Sequence, residues 1–131
     1  MLQELILSNA TFSESHLNNI PVGLRRLNLA NTKVTDTGFK AMGSRSLLEE
    51  LNLSGTQISD ATLEGIGRNP SWISLRIIDL SNTKVTDEGL KQLSKSLLLH
   101  PKAIVLTGTN VTPKGMEAIR SKWGKSCSIT Y

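Results

Sequence analysis

Cysteine, histidine and aromatic side chains are all scarce in this chain of 131 residues. The lone Cys127 excludes an intramolecular disulfide framework. His16 and His100 stand far apart in sequence, so a shared metal site is not expected. Catalysis requires a nucleophile, a base or a metal held in mutual reach. Cys127 has no sequence-near partner to make it a thiolate and reads as a small buried hydrophobe. Gly65-Ile-Gly67 lacks the strand–glycine–helix setting of a dinucleotide loop. In the stretch Gly108 to Gly115, Lys114 precedes the second glycine, which a phosphate loop does not allow. The chain is therefore not expected to be an enzyme or to hold a cofactor or metal.

Other absences narrow the setting. Two tryptophans, two phenylalanines and one tyrosine are too few for a surface that interleaves aromatics with basic residues, so no nucleic-acid partner is expected. No apolar run approaches the length of a membrane span. Met1 leads into Leu2-Gln-Glu-Leu without a basic segment and apolar stretch of the secretory kind. A reducing, cytoplasmic location is the resulting expectation. Charge is uneven: residues 1–65 carry five Lys/Arg against seven Asp/Glu, and residues 66–131 carry ten against four. The basic cluster Lys114, Arg120, Lys122 and Lys125 reads as a solvated helix face.

What the chain does contain is one phrase repeated. Leu24-Arg-Arg-Leu-Asn-Leu-Ala-Asn-Thr-Lys-Val-Thr-Asp-Thr-Gly-Phe39 returns at Leu48–Leu63 and at Leu75–Leu90, degenerately at Pro101–Met116, and faintly from Leu2 to Leu17. Its third apolar position falls at Leu7, Leu29, Leu53, Leu80 and Leu106, with spacings of 22, 24, 27 and 26 residues. Such a period implies stacked units of one strand and one helix or 3₁₀ turn each.

Local patterning agrees. Leu27/Leu29, Leu51/Leu53 and Ile78/Leu80 alternate with polar residues, as in a strand with one buried face, and Ile104/Leu106 keep the same spacing around Val105. About ten residues later come apolar pairs at helical spacing: Leu17/Ile20, Phe39/Met42, Leu63/Ile66, Leu90/Leu93 and Met116/Ile119. Phe12, Val34, Ile58, Val85 and Val111 fill the corners between them. Thr35, Ser59, Thr86 and Thr112 stand at helix N-caps. Asp36, Asp60 and Asp87, and Pro113 in the last unit, occupy the first helical position. Gly38, Gly89 and Gly115 are expected to let each helix start approach the next unit closely. Thr32, Thr56, Thr83 and Thr109 are expected to satisfy backbone groups in the turns. Trp72 and Trp123 are expected to cover core, the first under a long loop and the second at the terminal unit.

The phrase resembles the leucine-rich-repeat consensus Leu-x-x-Leu-x-Leu-x-x-Asn/Cys-x-Leu, with threonine at the Asn/Cys position. The ensuing Val/Ile-Thr/Ser-Asp-x-Gly-Leu is similar to the cysteine-containing subclass of F-box-associated and bacterial effector repeats. The resemblance implies an α/β fold: a right-handed solenoid of about five repeats, with a parallel sheet on the concave face and short helices on the convex face. One domain spans 1–131, with units at about 2–23, 24–47, 48–74, 75–100 and 101–125. A capping strand follows at about 126–131, with Cys127, Ile129 and Tyr131 on one face. The implied function is a protein-interaction module. Alternatives are a structural segment of a larger repeat protein, or the substrate-receptor or effector domain that the subclass suggests, the latter acting in a host cytoplasm.

Because the recurring residues all have scaffold tasks, binding is expected where the copies differ. Outward strand positions form one row of Glu4, Arg26, Glu50, Ile77 and Ala103, and a second of Ile6, Asn28, Asn52, Asp79 and Val105. From these rows, with Arg76 beside them, Arg26, Asn28, Glu50, Asn52, Arg76, Ile77, Asp79 and Val105 are the candidate partner-binding residues. A protein partner is expected on this face. End-to-end self-association is expected at the first unit, which has no polar cap before Leu2.

Overall fold

The computed structural model describes residues 1–43 and 45–131. Among the described residues, six three-residue strands form one parallel sheet in sequential order: β1 (Glu4–Ile6), β2 (Arg26–Asn28), β3 (Glu50–Asn52), β4 (Ile77–Asp79), β5 (Ala103–Val105) and β6 (Ser128–Thr130). Helices α1 (Asp36–Met42), α2 (Asp60–Arg68), α3 (Asp87–Leu93) and α4 (Pro113–Trp123) alternate with them. The first unit carries only a 3₁₀ helix, Glu14–Asn19. The result is an α/β solenoid in which each unit packs on its neighbours. Its core is one continuous column of the expected leucines, isoleucines and valines, interior copies being almost fully buried.

Threonine side chains close the turns of the second to fifth units as the sequence suggests, Ala10 standing at that position in the first. The hydroxyls of Thr32, Thr56, Thr83 and Thr109 donate to the carbonyls of Leu29, Leu53, Leu80 and Leu106, three residues back, at 2.6–2.7 Å. The residue before each threonine has a positive φ: Asn31 at 57°, Gly55 at 66°, Asn82 at 55° and Gly108 at 74°, with Asn9 at 62° in the first unit. Only residues that tolerate the left-handed region fit there, hence the Asn/Gly column.

The Thr-Asp pair does more than start a helix. Carboxylates reach across to the next unit: Asp36 accepts from the Ser59 N–H (2.8 Å), the Ser59 hydroxyl (2.5 Å) and the Thr62 hydroxyl (2.6 Å). Asp60 accepts from the N–H and hydroxyl of Thr86, and Asp87 from those of Thr112. Glu14 takes this place in the first unit, accepting from the N–H and hydroxyl of Thr35. The glycines fit the same joint, although their close neighbour is the preceding unit. A Cβ on Gly38, Gly89 or Gly115 would overlap the carboxylate of Glu14, Asp60 or Asp87. N-capping is correspondingly partial: Thr35 and Thr86 accept from helix N–H groups, whereas Ser59 and Thr112 do not.

The tryptophans fill their expected places. Trp72 is buried and stacked on Phe39, ring centroids 5.4 Å apart. Trp123 covers the last unit and donates its indole N–H to the Leu99 carbonyl at 2.8 Å. Strand β6 caps the sheet, with Cys127 buried and Ile129 partly buried. Burial pushes the Cys127 thiol pKa up, away from thiolate reactivity. Tyr131 departs from the expected alternation. It lies beyond the end of β6, outside the strand's hydrogen-bonded alternation, and is 63% exposed.

Arg45 has no counterpart in the repeat. It is buried, yet its guanidinium donates to the Met42 carbonyl (2.6 Å) at the end of α1 and to the Ile20 carbonyl (3.0 Å) of the preceding unit. Burial lowers its pKa below the ordinary arginine range, and the carbonyls supply the compensating acceptors.

Candidate functional site

Short parallel strands in strict register create the concave surface. Glu4 pairs with Arg26, Arg26 with Glu50, Glu50 with Ile77, and Ile77 with Ala103. Ile6, Asn28, Asn52, Asp79 and Val105 pair likewise in a second row. Side chains between the rows, such as Leu27 and Leu51, point into the core, so successive outward residues share one face. Together these rows line a shallow depression of about 220 Å³, walled by Ile6, Arg26, Asn28, Glu50, Ile77 and Asp79 among others.

Seven of the eight expected residues line this depression: Arg26, Asn28, Glu50, Asn52, Ile77, Asp79 and Val105. Arg76 does not. It sits one residue before β4, where its N–H donates to the Glu49 carbonyl and its own carbonyl accepts from Lys102 and Ala103. Its place in the strand alternation keeps its side chain out of the two outward rows.

The second row has a scaffold duty. Asn28 accepts from the Ala30 N–H at 2.9 Å, and Asn52 from the Ser54 N–H at 2.9 Å. Asp79 does the same for Ser81, accepting its N–H at 3.0 Å and its hydroxyl at 2.6 Å. These side chains brace the bend after each strand. In the first row, the Arg26 guanidinium pairs with Glu4 at 3.5 Å, and no ion pair joins it to its other row neighbour, Glu50, among the described residues. Arg25 and Glu49, one residue earlier on adjacent units, pair at 3.1 Å. Both pairs are well exposed and worth about 0–1 kcal/mol. Glu50 and Asp79 form no ion pair among the described residues. Ile77 remains 39% exposed between strands that place glutamate and alanine beside it.

A larger depression of about 590 Å³ lies on the convex side between α1 and α2, over Phe39 and Trp72. Its acidic groups are already engaged: Asp36 by Ser59 and Thr62, and Glu64 by Arg68 at 2.9 Å. Its aromatic rings stack on each other. In the concave depression, Glu50 and Asp79 have no ion-pair partner among the described residues, and Ile77 stays partly exposed.

Sequence reasoning missed the left-handed Asn/Gly column, the inter-unit carboxylates and Arg45. The first was legible in the Asn/Gly residue before each turn threonine. The second was hidden because an acidic residue there reads as a helix-start residue, although Glu14, Asp36, Asp60 and Asp87 each stand seven positions after Leu7, Leu29, Leu53 and Leu80. Arg45 recurs in no other copy and offered no pattern.

A leucine-rich-repeat family profile matches residues 24–43, 46–67 and 73–94, three of the units traced above. With the sheet and its register, this makes the chain a leucine-rich-repeat protein. A solved leucine-rich-repeat protein of Leptospira interrogans has a similar fold, with a TM-score of 0.54 and 22% identity. The likeness covers 99% of this chain and 37% of that one. The present chain thus spans little more than a third of its length. No curated protein matches the sequence. Leucine-rich-repeat folds are generally protein-interaction modules and non-enzymatic scaffolds. Among the described residues no helix is long and apolar enough to cross a membrane.

Proposed function

We propose that this domain binds a protein partner on its concave sheet face. One observation carries the reading. The repeated columns are all consumed by core, turn or inter-unit bonds, whereas the two outward rows vary from unit to unit and gather around one depression. An interface combines apolar contacts with a few directed polar groups, and Ile77, Val105, Asp79 and Glu50 supply that mixture. Substrate reception for a ubiquitin ligase and docking of a bacterial effector on a host protein would both use this face, in a cytoplasmic setting. The triple change Arg26→Glu, Asp79→Asn, Val105→Asp keeps an acceptor oxygen for Ser81 and is expected to abolish partner capture from native extract while leaving circular dichroism unchanged. Capture that survives it would overturn the concave-face assignment.

A second reading has its own observation. Leu2 is 50% exposed and Leu5 and Leu7 are only partly buried, whereas Leu24, Leu27 and Leu29 in the next unit are almost fully buried. Among the described residues, no strand lies beside the outer edge of β1. This favours an end that stacks on another repeat unit, whether in a longer solenoid or in a second copy. Light scattering tests the second copy: concentration-dependent mass, abolished by Leu2→Lys, is the expected result. A monomer at all concentrations would leave only the longer solenoid.

A further inference from the structure

The scaffold needs an amide where it has Asp79, and the extra charge points to the chemistry of the partner. Asn28 and Asn52 make the same bond to the N–H two residues on, each with one amide oxygen. Asp79 also uses a single oxygen, Oδ1, for both Ser81 contacts. Asparagine would brace that bend equally well, so the second, charged oxygen is surplus to the fold. Glu50 is the other carboxylate of the face with no ion pair among the described residues, Arg26 pairing with Glu4.

Strand register sets these groups in a two-by-three array. Glu50, Ile77 and Ala103 form one side; Asn52, Asp79 and Val105 form the other. Strand spacing and rise place the backbones of Glu50 and Asp79 roughly 8 Å apart on a diagonal, close enough for one cation to lie between their side chains. Ile77 and Val105 occupy the parallel diagonal one strand along. Among the residues that line the depression, Glu4, Glu50 and Asp79 give three carboxylates against the one guanidinium of Arg26, opposite in sign to the chain's net +4. A local field of that kind selects partners by charge.

We infer that β3–β5 receive a partner segment in which a lysine or arginine stands beside apolar side chains. The cation lies between Glu50 and Asp79, and the apolar neighbours rest on Ile77 and Val105. This rests on the concave-face reading and adds the sign and pattern of the partner.

The test uses the full chain, isotopically labelled, titrated with capped tripeptides of sequence leucine–lysine–leucine and leucine–glutamate–leucine. Amide shifts at residues 77–79 and 103–105 report binding. The lysine peptide is expected to bind about tenfold tighter than the glutamate peptide, and to weaken severalfold between about 0.05 and 0.5 M salt. The double change Glu50→Gln, Asp79→Asn keeps the bend bond, as Asn28 and Asn52 show, and is expected to erase that preference. Equal binding of the two peptides, or an unchanged preference in the double variant, would overturn the cationic assignment and leave the concave-face reading standing. Absence of shifts on these strands with either peptide would count against both.

Discussion

Replacing Asp36 by alanine should destabilise the solenoid by about 3 kcal/mol, since hydrogen bonds to charged groups contribute about 1.5–3 kcal/mol each and are not fully additive. The carboxylate is the joint between the second and third units, accepting the Ser59 N–H, the Ser59 hydroxyl and the Thr62 hydroxyl. Thr62 is buried, so its orphaned hydroxyl would have no easy route to water. A linear array also transmits the loss in a particular way. Each unit holds only its neighbours, so weakening one joint should decouple the first two units from the rest. Urea unfolding followed by circular dichroism should show a lowered midpoint and a broadened transition. Asp36→Asn keeps one acceptor oxygen and should lose less than half as much. A change below about 0.5 kcal/mol for the alanine variant, the range of ordinary surface substitutions, would refute the joint's role.

Acid should act on the same joints. Burial alone would raise the Asp36 pKa, but hydrogen bonds from Ser59 and Thr62 outweigh it and hold it below the usual 3.8. The side-chain and backbone bonds from Thr112 lower that of Asp87 likewise. A depressed native pKa means that the unfolded chain takes up protons first as pH falls. The stabilisation is therefore complete above about pH 4, the ordinary aspartate range, and drains away as pH drops through the lowered native values. Thermal unfolding of Asp36→Asn should show a flatter dependence on pH in that acidic window than the unchanged chain.

Two glycines in α2, two residues apart, should respond in opposite directions to alanine. A Cβ on Gly67 would overlap the Gln92 carbonyl oxygen and press on the Leu93 Cα, both of them backbone. Neither can swing aside as a side-chain tip could, so α3 would have to move as a body. Overpacking of that kind costs about 1–3 kcal/mol and sometimes more, and the upper end is expected here. A Cβ on Gly65 would meet nothing within 4 Å. Gly65→Ala should therefore gain about 0.5–1 kcal/mol from helix propensity alone. Equilibrium denaturation of the two variants side by side decides the matter. A neutral Gly67→Ala would mean that the α2–α3 distance is not set by this contact.

Much of this architecture was legible in the chain because a repeat states its structural rules several times. Leu27, Leu51, Ile78 and Ile104 reveal strand alternation by agreement among copies. Thr32, Thr56, Thr83 and Thr109 reveal a fixed turn bond in the same way. Even the two outward rows, Glu4 to Ala103 and Ile6 to Val105, follow from register once the strands are parallel. Residues that occur once had no such support. Arg45 bonds carbonyls of two different units, a relation with no periodic trace. Tyr131 was assigned by alternation, which ceases to constrain a residue beyond the last hydrogen-bonded strand.

The sequence by itself determined the unit, its period and the identity of the buried faces, since those depend on local spacing and on burying apolar side chains. Only the tertiary structure decided how the units are joined and which polar groups remain free. Asp36 reads from sequence as a helix-start residue, yet stacking brings Ser59 and Thr62 within reach and makes it a joint. Glu4, Arg26 and Glu50 stand in one outward row, yet only Glu4 comes within ion-pair distance of Arg26. A side chain with partners on either side is settled by three-dimensional geometry, because only there do the alternatives compete for the same atoms.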